Sequence, residues 1–305
     1  MRMYKKYLNE KIKNMKILLL LGSNSYENKD GVGQYVLNLY DSLLLLTKTV
    51  HSEVIDKTSI LYWIRKLNNG FKNYDLVHMQ YPVEAWKHSV LPGILPVLFK
   101  IYYRKQYLVT LHEWNSYHFL RKLSIIPLCY FGDGFIFVST QVESEFINSF
   151  VYKLTYKKPT VKLIPLSSNI EPSSLKKIDI SEIRNKIVDD ESILIGYFGF
   201  IYDTKLPLKM LEIVKESKRN KEKIKLLICG SFQDDAIKEK ETFFSYINEN
   251  DLNDYVIYKG FIKDEKKLST YLSSCNAMLL LFKDGLTSRR SSFWYSFVLG
   301  NRIIT

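Results

Sequence analysis

The sequence predicts an α/β protein built from two Rossmann-like parallel-sheet domains that face each other across a cleft. Three observations predict it. Short apolar runs of buried-strand type alternate with amphipathic helical stretches along the whole chain. One polar, turn-forming stretch, 166–174, interrupts the alternation. The alternation then restarts at 193–200, and a chain of 305 residues is long enough for about two domains. The expected boundaries are 1–168 for the first domain, 169–190 for a linker and 191–305 for the second.

The elements follow in order. Residues 16–22 read as a buried strand; the run 17–21 is shorter than the ~7–15 residues of a signal-peptide core. A polar loop ends in Asp30-Gly31-Val32-Gly33. A helix is expected from 34 to about 46, with Val36, Leu39, Tyr40 and Leu43 on one face. Strands at 48–54 and 76–80 flank a helix at about 58–67. A strand at 107–111 ends in His112-Glu113-Trp114, and one at 134–138 ends in Ser139-Thr140 before a helix to 150. A strand at 161–164 closes the first half, and a short charged helix at 180–187 is expected in the linker. The second half reads strand 193–200, helix 207–216, strand 225–229 ending at Gly230, helix 235–248, strand 255–258 ending in Gly260-Phe261-Ile262, helix 268–274 and strand 277–282. A polar loop, a helix at 293–299 stopped by Gly300 and a last strand at 302–305 complete it.

Composition narrows the class. Hydrophobic residues make up 46% of the chain, enough for a sizeable core. Cys129, Cys229 and Cys275 are widely spaced beside apolar runs and form no metal or disulfide pattern, which fits a reducing, cytoplasmic compartment. The net charge is +12, with +9 on residues 1–175 and +3 on 176–305. A basic first half suits an anionic membrane or an acidic substrate; a lysine-rich composition explains it equally well. The basic residues are spread widely and no nucleic-acid module is present, so nucleic acid is not an expected partner. The stretch 86–107 mixes aromatic, aliphatic and basic residues. It is either a helix packed on the sheet or a segment lying in a membrane surface.

The loop Asp284-Gly285-Leu286-Thr287-Ser288-Arg289-Arg290-Ser291-Ser292 precedes a helix. A helix start offers free N–H groups and the positive end of a dipole, and arginine adds a fork that matches phosphate. The plain alternative is a capped surface helix with two solvated arginines. Gly31, Gly33, Gly199 and Gly230 lie at strand ends or loop ends, where backbone can approach a ligand closely.

The order of these landmarks resembles the GT-B glycosyltransferases, specifically the retaining family 4. Asp75-Leu76-Val77-His78-Met79-Gln80 is similar to that family's D-[VL]-V-H-x-Q strand. Thr110-Leu111-His112-Glu113 resembles its T-x-H-[DE] strand end, and Gly31-Val32-Gly33 its first glycine loop. Phe198-Gly199-Phe200-Ile201 with Lys205 looks like its F-G-x-[IL]…K segment, and Lys259-Gly260-Phe261 fits its x-G-[FY] strand end. The loop at 284–291 resembles a D-G-[VL]-[ST]-x-R-R-G-S variant. The likeness runs from about residue 16 to 305. It departs from the family at the E-x7-E pair, which falls near Thr287 and Tyr295. It also implies further helices after Thr305, so the second domain is expected to be short at its end.

The resemblance implies transfer of a hexosyl-type sugar, with retention, from a nucleotide-diphosphate sugar to a glycan or lipid-linked acceptor. Cell-surface polysaccharide or glycolipid synthesis at the inner face of the membrane is the implied setting. It implies a metal-independent reaction with no cofactor, and the chain contains no Asp-x-Asp or His/Cys cluster. Catalytic roles fall on His112, beside the transferred sugar, and Lys205, near the diphosphate. Donor binding falls on Gly31, Gly33, Gly199, Gly230, Phe261, Ile262, Ser288, Arg289, Arg290, Ser291 and Ser292. The alternative for His112 is a structural histidine, and for Lys205 a solvated loop lysine. The competing function is a non-catalytic GT-B binding subunit or an inactive fragment.

Overall fold

A computed structural model describes residues 10, 12–22, 31–55, 59–81, 89–156, 158–166, 168, 177–233, 236–287 and 290–305. The chain divides into two compact units, Met1–Leu166 and Ser167–Thr305. The first unit runs β1 (Lys16–Leu21), α1 (Gly31–Leu44), β2 (Thr49–Val54), α2 (Ile60–Phe71), β3 (Leu76–Tyr81), α3 (Leu91–Tyr103), β4 (Gln106–Leu111), α4 (Phe119–Leu123), α5 (Ile126–Phe131), β5 (Gly134–Phe137), α6 (Thr140–Ile147), α7 (Phe150–Leu154) and β6 (Thr160–Leu163). The second runs α8 (Lys177–Ile187), β7 (Ile193–Phe198), α9 (Pro207–Arg219), β8 (Ile224–Cys229), α10 (Ile237–Glu249), β9 (Val256–Tyr258), α11 (Glu265–Ser273), β10 (Ala277–Leu279), α12 (Ser291–Val298) and β11 (Ile303–Ile304).

Each unit holds one sheet, ordered β2-β1-β3-β4-β5-β6 in the first and β11-β10-β7-β8-β9 in the second. Every described pairing is parallel. Parallel strands need crossovers that lay helices on the sheet faces, so central strands are buried on both sides and read as continuous apolar runs. β1 does so: Ile17, Leu18, Leu19, Leu20 and Leu21 are all buried. Leu18 and Leu20 join Trp63, Leu67 and Phe71 of α2 in one cluster, while Ile17, Leu19 and Leu21 meet Val36 of α1 in another. In the second unit Ile195 and Tyr197 face Met210, Leu211 and Val214 of α9, and Leu194 faces Leu268 and Leu272 of α11. The strand order reverses between β1 and β3 in one sheet and between β7 and β10 in the other. Ligands of open α/β sheets bind beyond the carboxyl ends of strands at such a reversal.

The structure shifts several expected boundaries. β7 stops at Phe198, two residues early, because Gly199 turns the chain with φ +119°. β10 stops at Leu279, where its pairing with the two-residue β11 ends. α1 starts at Gly31, so Gly31 and Gly33 form its first turn instead of a preceding loop; first-turn N–H groups have no helical partner, which makes glycine tolerable there. Three short helices, α4, α5 and α7, add to the expected elements. α8, expected in the linker, is fastened within the second unit: Arg184 donates to the carbonyls of Ser274 and Ser192 at 2.8 Å each. α3 packs Leu95 and Val97 into the core and leaves Leu98, Ile101 and Tyr102 exposed.

Candidate functional site

The second unit gathers its polar groups at the reversal between β7 and β10. After β7 the chain passes through Gly199 to a single 3-10 turn, Asp203–Lys205. Leu206 follows in the left-handed region, φ 50° and ψ 53°, before Pro207 opens α9. Such a conformation strains a residue with a Cβ, and persists where the surroundings hold it. Ile201 bridges to Phe232, and Lys283 N–H donates to the Thr204 carbonyl at 2.8 Å, which ties the turn to the loops after β8 and β10.

This arrangement buries Lys205, at 7% exposure. Its Nζ lies 5.0 Å from the ring centre of Tyr202 and 5.7 Å from that of Tyr197. It forms no ion pair with the described residues. Burial, with the charge of Arg290 adding to it, pulls its pKa down to about 7. Glycines make room for it. A Cβ on Gly199 would sit 2.8 Å from Lys205 Nζ, and one on Gly230 would sit 2.0 Å from the Gly199 carbonyl oxygen. The same Gly199 position is 4.0 Å from Cβ of Ser292, a buried residue in the first turn of α12. Lys205, Gly199, Gly230, Arg290 and Ser292 therefore converge.

Arg290 occupies the N-cap of α12, and no side chain caps that helix. Its Nη2 donates to both carboxylate oxygens of Asp284, at 2.7 and 2.9 Å, while the guanidinium lies 4.5 Å from the Phe282 ring centre. Two polar atoms of this loop, Arg290 Nε and Thr287 Oγ1, are buried without a hydrogen-bond partner among the described residues. Orphaned buried polar groups are costly and rare, and they concentrate where a ligand completes the set. Tyr295, at the position where the family resemblance places a glutamate, is buried with its hydroxyl 2.5 Å from Ser269 Oγ. Ser291 begins α12. Ser288 and Arg289 lie outside the described residues. Phe261 and Ile262 follow β9, the edge strand, two strands from β7; Phe261 is exposed and Ile262 packs on the core around Leu227 and Met278.

Gly31, Gly33 and His112 belong to the first unit. There the register sets a polar ladder across β3 and β4. His78 pairs with Leu108 and Gln80 with Thr110. Each side chain bonds the residue two further along the neighbour: His78 Nε2 to Thr110 Oγ1 at 2.7 Å, and His112 Nε2 to Gln80 Oε1 at 3.0 Å. The period of two puts all four on one face. Tyr35 of α1 packs edge-on against the His112 ring, centroids 5.1 Å apart. Burial lowers the pKa of His78 to about 4, and burial with the nearby His78 lowers that of His112 to about 3. Both imidazoles are neutral at ordinary pH. Gln80 and Thr110 carried no assigned role in the sequence, although Gln80 stood in the quoted strand motif.

Among the described residues no group of three or more His, Cys, Asp or Glu side chains could hold a metal ion, and no helix is long and apolar enough to cross a membrane.

Residues 179–284 match the family model described as Glycosyl transferases group 1. No curated protein matches the chain. Among solved structures, the chain is similar to Anabaena HepE in complex with UDP and glucose, with a TM-score of 0.71 at 13% identity, covering 95% of this chain and 80% of that one. It is similar to sucrose-phosphate synthase from Thermosynechococcus elongatus, TM-score 0.69 at 15% identity, covering 94% and 80%. It is also similar to a glycosyltransferase from Rickettsia africae, TM-score 0.66 at 14% identity, covering 88% and 73%. These likenesses establish the fold: the chain is an α/β protein of the GT-B type, with two parallel-sheet units.

Proposed function

We propose that the protein is a glycosyltransferase that moves a sugar from a nucleotide-diphosphate donor to a glycan or lipid-linked acceptor. The observation that carries this reading is the buried Lys205 at the β7–β10 reversal, without an ion-pair partner among the described residues and inside the stretch that matches the glycosyltransferase group 1 model. Glycosyl transfer develops negative charge on a leaving diphosphate, and preorganised cations in a site shielded from water stabilise that charge. Lys205 supplies one such cation, Arg290 a second, and the uncapped start of α12 supplies N–H dipoles. Arg289 and Ser288, adjacent in sequence, are assigned to donor binding by the family resemblance alone. His112 contacts the transferred sugar, and Gly31 and Gly33 bring the first turn of α1 to the donor. Phe261 and Ile262 line the base. The reaction proceeds with retention and without a metal, as the family 4 resemblance implies.

The similar Anabaena HepE structures are complexes with UDP and glucose and with UDP-glucose, so UDP-sugars are the first donors to try. The test is a screen of UDP-, GDP- and ADP-sugars for donor hydrolysis and for transfer to lipid-linked and soluble glycans. Turnover of one donor that is lost in Lys205→Met supports the reading; no turnover of any donor argues against it.

A second reading, a non-catalytic GT-B binding subunit, is favoured by Tyr295. Its hydroxyl is occupied by Ser269 at the place where the family resemblance expects a carboxylate for the donor ribose. That reading predicts nucleotide binding without turnover. In either case the exposed Leu98, Ile101 and Tyr102 of α3, together with the +9 charge of residues 1–175, support attachment to an anionic membrane surface from the cytoplasmic side. Co-sedimentation with anionic but not neutral liposomes tests it.

A further inference from the structure

The geometry points to Gln80 as a positioning residue: its side-chain oxygen holds His112 in the Nε2–H tautomer, so that Nδ1 carries a lone pair for a hydroxyl of the bound sugar. The inference rests on the reading of His112 as a sugar contact, but its first test does not require transfer.

A neutral imidazole has one N–H and one lone pair, and the bond made by one nitrogen decides what the other offers. His112 Nε2 lies 3.0 Å from Gln80 Oε1. Gln80 is fully buried at the carboxyl end of β3, and its amide is fixed by the register that sets Gln80 against Thr110 and His112 two residues beyond. The backbone holds the histidine as well. His112 N–H donates to the Tyr81 carbonyl at 2.9 Å, which carries the β3–β4 pairing one residue past the strand. Tyr35 packs edge-on against the ring, 84° between planes, and restrains its rotation. With Nε2 donating to the amide oxygen, Nδ1 is an acceptor. A sugar hydroxyl is a donor that such a nitrogen recognises. The neighbouring rung repeats the geometry: His78 Nε2 bonds Thr110 Oγ1 at 2.7 Å, and both histidines are buried.

Gln80 does not touch the substrate in this account. It acts through His112, and Gln80 Nε2 has no hydrogen-bond partner among the described residues. Burying an amide with one side unpaired is costly. A leucine or methionine would fill the same place without that cost, which is the mark of a residue kept for what its oxygen does.

The experiment is nitrogen NMR of the full chain labelled at histidine, in the parent, Gln80→Met and Gln80→Glu. Methionine keeps the shape and removes the acceptor; glutamate keeps the acceptor. The parent should show a protonated Nε2 and an unprotonated Nδ1 at His112, Gln80→Glu should keep that pattern, and Gln80→Met should lose it to a mixture. A parent with the proton on Nδ1 would mean that the amide donates to the ring, and would overturn the assignment. So would an unchanged tautomer in Gln80→Met. In the transfer assay Gln80→Met should lower kcat by about tenfold, the worth of one hydrogen bond, with nucleotide-diphosphate affinity unchanged and with recovery in Gln80→Glu. Equal loss in both variants would reduce Gln80 to a packing residue. Absence of transfer in the parent, with the tautomer fixed as stated, would count against glycosyl transfer and leave the positioning role standing.

Discussion

The two units bury polarity in opposite ways. In the first, His78, Gln80, Thr110 and His112 form neutral pairs across two strands, set by the register, with Gln80 Nε2 left without a partner among the described residues. In the second, Lys205 is buried with aromatic faces around it and, among the described residues, no counter-charge, while Arg290 beside it is bonded to Asp284 but has no partner for Nε among those residues. A buried ion without a partner destabilises the fold that holds it. A neutral hydrogen-bonded pair is close to break-even. In the proposed reading the difference separates two tasks: one unit stores unfavourable electrostatics that a bound diphosphate, or loss of the lysine proton, relieves, and the other presents a shaped, uncharged surface.

The sharpest way to break this contrast is to remove the stored charge. Lys205→Met should lower turnover by about 10²–10³-fold, the range seen when one preorganised charge or dipole is removed from a developing anion. It should also make the free protein more stable, by about 1 kcal/mol or roughly 2–4 °C in Tm. Loss of activity with loss of stability would make Lys205 an ordinary core residue. Calorimetry and a donor assay on the same preparation decide it.

Arg290→Ala comes next. Its charge-assisted bonds to a diphosphate should be worth about 1.5–3 kcal/mol, so nucleoside diphosphate binding should weaken by roughly one to two powers of ten while nucleoside binding stays put. Equal weakening of both would place Arg290 in the fold of the loop, through Asp284 and Phe282, and not at the phosphates.

The contrast has a pH signature. Lys205 in the free protein titrates near 7, lowered by burial and by Arg290. A bound diphosphate favours the charged form and raises that value. Binding above pH 7 therefore takes up a proton, and affinity falls as pH rises from 7 to 9, by up to about tenfold per unit. The sign for stability is the reverse of the usual lysine case. The unfolded chain keeps its proton up to its ordinary value of 10.5 while the folded site has lost it, so the Lys205 contribution to stability improves as pH rises through 7. His112, held near 3, adds no dependence over this range. Binding titrations from pH 7 to 9 on the parent and on Lys205→Met, which should be flat, test the assignment.

The smallest expected effect is at Tyr295. Tyr295→Phe removes the bond to Ser269 and should cost about 1 kcal/mol of stability, with nucleotide affinity unchanged. A drop in affinity would bring the Tyr295 hydroxyl into the donor site.

Sequence alone revealed the two units differently. The alternation of apolar runs and helices gave both sheets, because parallel strands buried on two faces announce themselves as unbroken runs such as Ile17–Leu21. Strand ends were less legible, since Gly199 and the short β11 terminate pairing through backbone geometry and partner length. The short helices α4, α5 and α7 carry too few turns for a period to show. At the site, Lys205 and Arg290 stood out through motif resemblance, yet nothing in the sequence showed that Lys205 is buried without a counter-charge or that Asp284 grips Arg290. Gln80 was visible in its strand with no role attached. Its bond to His112 depends on the register between β3 and β4, which a single sequence does not encode in any local pattern.

In the proposed reading the second unit keeps a buried cation, Lys205, for a diphosphate. Calorimetric titration of UDP and of uridine into the parent and into Lys205→Met tests it most directly. UDP should bind the parent far more tightly than uridine does, and Lys205→Met should remove most of the difference without changing uridine. UDP affinity equal in parent and variant would contradict it.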